Sequence, residues 1–458
     1  MKKSIVIVTC VCISLIGIWG CSTDEGLMDE FVKENSITSA KSSENGIPLP
    51  EIVPNQMVIQ FKQGQLTEEE KFLIRNEYKN KHQIDIEQIE TCDCDNDGIE
   101  LWTVNLANSK FVKIEELVSN AKGNDDEGDV ETDLNFYFQI RSDRISGNYS
   151  STLEQKTITN QTGDAVNIAI LDTGIDYDFF PDQFLYNSSG SSSCEDEISG
   201  WDFVNGDNDP RDDHGHGTVV AKIITNQLDR YQIPYTIMAV KSFDSEGRGS
   251  YWASVCGINH IAKKNDPFIV NTSFGFYKLT DQDIFKNIIE AASDRLLLIS
   301  SAGNQGIDTD ISGNEHFPSG YDSANILTVG GYIKGEYFTY PTYNDPYVSG
   351  LSRASDSNYG TSTIDALAPF DEHTFELIDA LNSSDTIPVS VQGTSFANAE
   401  VTARAAQLHR ETTGTPLAIK QRTLDSGYRE YSLNGFINNG KVIVRNIINS
   451  HTLVPVSN

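Results

Sequence analysis

Five short apolar runs, with stretches of helical spacing between them, set the tightest limit on how this chain can fold. Val166, Ile168, Ala169, Ile170 and Leu171 make one run that ends in Asp172. Similar runs lie at residues 235–240, 268–272, 296–300 and 326–329, and helical stretches fall around 217–227, 250–264 and 281–294. Strands without apolar–polar alternation are buried on both faces, and strands that alternate with helices pair in parallel. The expected fold is therefore α/β: a mostly parallel sheet with helices on both faces, over about residues 150–450. In such a sheet the functional site forms at the carboxyl ends of the strands.

Residues 51–140 carry a different rhythm. Met57 to Phe61 alternates as a strand. Thr67 and Glu70 form a capping box that opens a helix running to about Lys81. Residues 84–89 and 99–106 read as strands, 112–122 as a helix with Ile114, Leu117 and Val118 on one face, and 134–140 as a last strand. Strand, helix, strand, strand, helix, strand is the ferredoxin-like order, so a small α+β domain precedes the α/β domain. Residues 93–98 (Asp, Cys, Asp, Asn, Asp, Gly) start like a calcium loop, but its twelfth position is Val104 rather than Glu. A polar hairpin turn is the expectation there.

The first residues bear on the compartment. Lys2 and Lys3 precede an apolar run from Ile5 to Trp19, which has the form of a secretory signal over residues 1–20. The run ends Ile18, Trp19, Gly20, Cys21, which resembles the bacterial lipoprotein box, although Trp19 is bulkier than usual. Cys21 is then the lipidated residue, and an exported lipoprotein held at the cell envelope or surface is expected. Residues 21–50, rich in Ser, Glu, Asp, Asn and Lys, read as a flexible tether. The net charge of −32 repels polyanions, so nucleic acid is excluded as a partner. Of the 7 Cys, Cys92 and Cys94 are too close to bridge easily and lack a second pair for zinc. Whether Cys194 and Cys256 pair is left open.

Three motifs carry the chemistry. Ser395 lies in Gly393-Thr394-Ser395-Phe396-Ala397 and opens an Ala-rich helix, where free N–H groups and the helix dipole suit a developing oxyanion. His216, in Asp212-Asp213-His214-Gly215-His216-Gly217-Thr218, also opens a helix and can move a proton. Asp172 ends the first strand, where a carboxylate can fix an imidazole tautomer. Singly, each is as well read as a cap or a turn residue. Together, in the order Asp, His, Ser, they resemble the subtilisin-like serine proteases.

The likeness covers about residues 150–450. It extends through Trp201 to Pro210, Asn271-Thr272-Ser273-Phe274-Gly275, Ser301-Ala302-Gly303-Asn304, Asp365 to Pro369 and Gly440 to Val444. The resemblance implies a serine endopeptidase with Asp172, His216 and Ser395 as the triad and an acyl-enzyme intermediate. It implies Asn304 as an oxyanion donor, a contribution whose loss typically costs about 100- to 1,000-fold in turnover. Ser273, Phe274 and Gly275 would pair with substrate backbone. It makes residues 51–140 an inhibitory propeptide, the chain's own partner, with Asp133 to Phe136 in the substrate cleft and a cut near 140–155. The substrate is a protein or peptide. The chemistry requires no cofactor, and structural calcium is an expectation without assigned ligands. The family's usual residues are replaced by Val219 after Gly-Thr and by Asn398-Ala399-Glu400 after the Ser395 motif. His316 falls near a wall of the family's primary specificity pocket. An α/β-hydrolase esterase is excluded, because Gly-x-Ser-x-Gly and the order Ser, acid, His are both missing.

Overall fold

A computed structural model of the chain describes residues 47–444 apart from 63–65, 94, 123–128, 141–155, 157, 159–164, 189–193, 195, 281, 341–345, 372, 379–385 and 412–413. The signal at 1–20, Cys21, most of the tether and all but Ile140 of the expected cut region 140–155 lie outside the described residues.

The N-terminal elements are β1 (Glu51–Phe61), α1 (Glu68–His82), β2 (Asp85–Cys92), β3 (Asp95–Asn105), α2 (Ile114–Lys122) and β4 (Val130–Gln139). The expected element order is therefore seen, and the strands lie in the order β2-β3-β1-β4 with every pairing antiparallel. Thr67 and Glu70 form the capping box on α1: Glu70 N–H donates to Thr67 Oγ1 at 3.3 Å and Thr67 N–H to Glu70 Oε2 at 2.8 Å. Ile114, Leu117 and Val118 of α2 are buried, as their spacing requires.

The rest is built on β5 (Val166–Asp172), β6 (Gly200–Asp202), α3 (His216–Arg230), β7 (Tyr235–Lys241), β8 (Arg248–Ser250), α4 (Tyr251–Lys263), β9 (Phe268–Thr272), β10 (Phe276–Tyr277), α5 (Asp283–Ala291), β11 (Leu296–Ser301), β12 (His316–Phe317), β13 (Ile326–Tyr340), β14 (Tyr347–Arg353), β15 (Ala366–Pro369) and α6 (Thr394–Glu411). Seven strands, in the order β15-β13-β11-β9-β5-β7-β6, run parallel and make up most of a larger sheet, with β6 at its edge. β5 comes first in the chain. β7 then lies on one side of it and β9 on the other, so the topology switches direction between β5 and β9. The crevice outside the carboxyl ends at such a switch is where ligands bind.

The two parts share one apolar cluster. Leu134, Phe136 and Phe138 of β4 belong to it together with Tyr251, Val255, Phe274, Phe276 and Phe285. β4 also pairs antiparallel with β8, so the N-terminal sheet gains a fifth strand from the α/β part. Asp133 supplies the cap that α5 lacks, accepting from Asp283 N–H at 3.2 Å and Ile284 N–H at 2.8 Å. Asn135 Oδ1 accepts from Trp252 N–H in the first turn of α4. These contacts correct the expectation that Asp133 to Phe136 fill the cleft, because those residues bind the starts of α4 and α5. Tyr137 to Gln139 are the residues that run along β8, and Ile140 N–H continues the strand by donating to Gly247 O at 2.8 Å. Alternation explains the shift: alternate residues of one strand face opposite ways, so polar caps and apolar side chains share β4.

The structure answers the open question about the cysteines. Cys256 of α4 is disulfide-bonded to Cys92 at the end of β2, and not to Cys194. Cys194 is itself disulfide-bonded. Its sulfur is therefore spoken for, although it lies in a buried group with Glu197 and His260. Glu197 accepts from Lys264 Nζ at 2.7 and 2.9 Å, and its Oε1 lies 3.1 Å from His260 Nε2.

Candidate active site

Asp172 is fully buried at the carboxyl end of β5. Its Oδ1 accepts from Thr173 N–H at 2.7 Å and from His216 Nδ1 at 2.7 Å. A carboxylate only accepts, so the imidazole proton sits on Nδ1 and Nε2 presents a lone pair. Burial by itself would push the His216 pKa down, but the charge and hydrogen bond of Asp172 outweigh it and hold the pKa above its ordinary value. Neighbouring His214 goes the other way: burial and the charge of His216 lower it. His214 Nδ1 accepts from the His216 N–H at 3.3 Å, which uses its lone pair structurally.

Asp212 organises the start of α3. Its two oxygens accept from Thr173 Oγ1 (2.8 Å), His214 N–H (3.0 Å), Gly215 N–H (2.7 Å), Thr218 N–H (2.8 Å) and Thr218 Oγ1 (2.6 Å). The Thr173 hydroxyl accepts in turn from Gly217 N–H at 2.9 Å, which locks the turn after Asp172 to the helix that carries His216. Gly217 has to be Gly here, since a Cβ would lie 2.2 Å from Gly174 O. Lys241, buried at the end of β7, donates to Thr173 O at 3.0 Å and to Asp213 at 2.7 Å. Asp207, Asp209, Asp212 and Asp213 all lie in the loop that leads to His216. Asp212 is the one that turns inward.

Ser395 stands in the first turn of α6, where leading N–H groups have no partner within the helix. Its hydroxyl donates to Ser273 O at 2.8 Å. A hydroxyl has one proton, so this rotamer does not donate to His216, and among the described hydrogen bonds none joins the two side chains. The rings of His216 and Phe396 are 5.5 Å apart, which puts the imidazole beside the residue that follows Ser395.

Asn304 follows β11 and is exposed. Its Oδ1 accepts from both the N–H and the hydroxyl of Thr394, each at 2.9 Å, and the Thr394 hydroxyl accepts from Gly303 N–H at 3.2 Å. With Oδ1 held, Nδ2 is presented beside Gly393 and the start of α6. Thr394 is thus a positioning residue that sequence reasoning missed, although it directly precedes Ser395.

The segment after β9 splits its tasks. The Ser273 hydroxyl is engaged with Asn271 Oδ1 and Ser395 O, at 2.8 and 2.9 Å, and its side chain serves the framework. Phe274 packs against Phe243 and Phe138, with ring centroids 5.0 and 5.8 Å apart. Gly275 faces His316, whose imidazole would lie 2.1 Å from a Cβ at Gly275 and 3.0 Å from one at Gly303. His316 fills the gap between the segment after β9 and the one that leads to Asn304. Burial lowers its pKa to about 3, so it is neutral. The departures at Val219 and Asn398 are framework positions: Val219 is fully buried, and Asn398 Nδ2 donates to Ile299 O at 2.9 Å.

The model of the Subtilase family (Peptidase_S8) matches residues 163–437. The chain belongs to the subtilase family, a family of serine endopeptidases. Among curated subtilases, thermitase of Thermoactinomyces vulgaris is 26% identical over 216 residues, 42% of this chain and 72% of thermitase. Subtilisin Savinase of Lederbergia lenta is 28% identical over 255 residues, 54% of this chain and 76% of its own length. The thermophilic serine proteinase of Bacillus sp. (strain AK1) is 28% identical over 248 residues, and this subtilase spans 51% of it. A crystal structure of a cold-adapted subtilisin-like serine proteinase aligns over 65% of this chain at 21% identity, with a TM-score of 0.43.

Proposed function

We propose that this subtilase is an exported, lipid-anchored serine endopeptidase made as a zymogen. The observation that carries the chemistry is the 2.7 Å bond from His216 Nδ1 to buried Asp172, which leaves Nε2 free to act as a base. In this reading Ser395 Oγ turns to Nε2, gives up its proton and attacks the scissile carbonyl. The charge on the resulting oxygen is taken by Asn304 Nδ2 and the Ser395 backbone N–H. His216 then passes its proton to the leaving amine, and water resolves the acyl-enzyme by the same route. No step needs a cofactor, and calcium would act on stability.

The zymogen reading is supported by β4, which lies along β8 and leads Ile140 toward Gly247, next to His214. Residues 51–140 in this reading inhibit the enzyme and are cut from it past Ile140. The export reading is supported by disulfides at Cys92, Cys194 and Cys256, which persist in oxidising compartments. Lipidation of Cys21 rests on the sequence alone. Purified Ser395→Ala, with no other protease present, is expected to stay full-length while the unchanged chain is cut. Normal cutting of Ser395→Ala would rule out self-processing.

His316 narrows the space between Gly275 and Gly303, so a small side chain is expected to suit the residue before the scissile bond. A peptide library assayed with His316→Gly is expected to show larger residues accepted there; an unchanged preference rules this role out.

A further inference from the structure

The bond between Cys92 and Cys256 crosses from one part of the molecule to the other. Cys92 ends β2, on the side of residues 51–140, and Cys256 lies in α4 of the α/β part, 164 residues further on. Cutting the chain between residues 141 and 155 does not break this link. We propose that the N-terminal domain stays covalently attached after processing, and that a dithiol reductant is what frees the cleft. This rests on the zymogen reading above.

The contacts that the tether preserves are extensive. Lys122 bridges to Asp283 and Asp133, both at 2.7 Å, and Asn287 Nδ2 donates to Gln60 Oε1 at 3.3 Å. Phe136 packs on Tyr251 and Phe276, with centroids 5.1 and 5.0 Å apart, and Arg248 stacks over Tyr137 at 3.8 Å. At the far end Asp93 approaches Gly206. A tethered partner acts at an effective concentration of about 1 mM, so a domain that binds with a Kd of about 1 µM leaves only ~0.1% of the clefts open. An untethered domain would instead dissociate on dilution. Both sulfurs are buried, so exchange proceeds when the end of β2 opens locally. One thiolate of the reductant then attacks one sulfur and expels the other Cys as a thiolate. The second thiol of the same reductant closes on the mixed disulfide. Two electrons and two protons pass to Cys92 and Cys256, and the dithiol becomes a disulfide.

The test uses the full chain, processed and purified without thiols, with dithiothreitol as the dithiol. On a gel without reductant it is expected to run as one species that splits into two after dithiothreitol. Peptide mapping is expected to recover residue 92 linked to residue 256. Peptidase activity is expected to rise at least about tenfold with dithiothreitol. The variant carrying Cys92→Ser, Cys94→Ser, Cys194→Ser and Cys256→Ser is expected to be active without it. Processed pieces that separate without reductant, or a rate in the unchanged chain that dithiothreitol leaves flat, would overturn the tether while the protease reading stands. A chain that is never cut and never reacts with a fluorophosphonate would overturn both.

Discussion

At the scale of single residues, the site depends on small groups that fix larger ones. Asn304 presents its amide because Thr394 holds the opposite oxygen with two hydrogen bonds. Thr394→Val keeps the shape and removes one of them. The amide then rotates more freely, and kcat is expected to fall about tenfold with KM little changed, the loss of roughly one hydrogen bond felt in the transition state. Thr394→Ser, which keeps the hydroxyl, is expected to restore most of the rate. Steady-state kinetics on a peptide substrate decide this, and a KM effect without a kcat effect would show that Thr394 serves binding instead.

At the scale of elements, the α3 N-terminus is fixed by Asp212. Its buried carboxylate accepts five hydrogen bonds from the turn after Asp172 and from the first residues around His216. Removing it leaves buried donors unmet, at a cost of about 1–3 kcal/mol for the worst of them. Asp212→Ala is expected to lower the melting temperature and the activity together. Asp212→Asn, whose amide oxygen still accepts, is expected to lose less. A variant that melts with the unchanged protein would show that α3 needs no such anchor.

Much of this level was legible beforehand. The runs at 166–171 and 296–300 had no alternation, and both became central parallel strands. Thr67 and Glu70 announced α1 three residues apart. Asp212 was not legible, because Asp207, Asp209, Asp212 and Asp213 look alike in the sequence and only the fold decides which one turns inward. The part of β4 that runs along β8 was misplaced for a related reason. A strand pattern gives two faces but not the point along the strand at which a neighbour begins.

For the molecule as a whole, the sheet gathers residues that the chain keeps far apart. Asp172 comes from β5, His216 from α3, Ser273 from the end of β9, Asn304 from the end of β11 and Ser395 from α6. The order Asp172, His216, Ser395 was legible in the sequence. The pairing of Cys92 with Cys256 could not be read the same way, since it depends on how residues 51–140 dock against α4. The assembly stands on Ser395 being made nucleophilic by His216. Fluorophosphonate labelling at a series of pH values, read by peptide mass spectrometry on the processed chain freed of its N-terminal domain, measures that directly. Ser395 is expected to be the residue modified. Only neutral imidazole can take its proton and Asp172 raises the His216 pKa, so the labelling rate is expected to climb with pH through an ionisation above 6.5 and to vanish in His216→Ala. Labelling at another residue, or labelling of Ser395 that persists unchanged in His216→Ala, would contradict it.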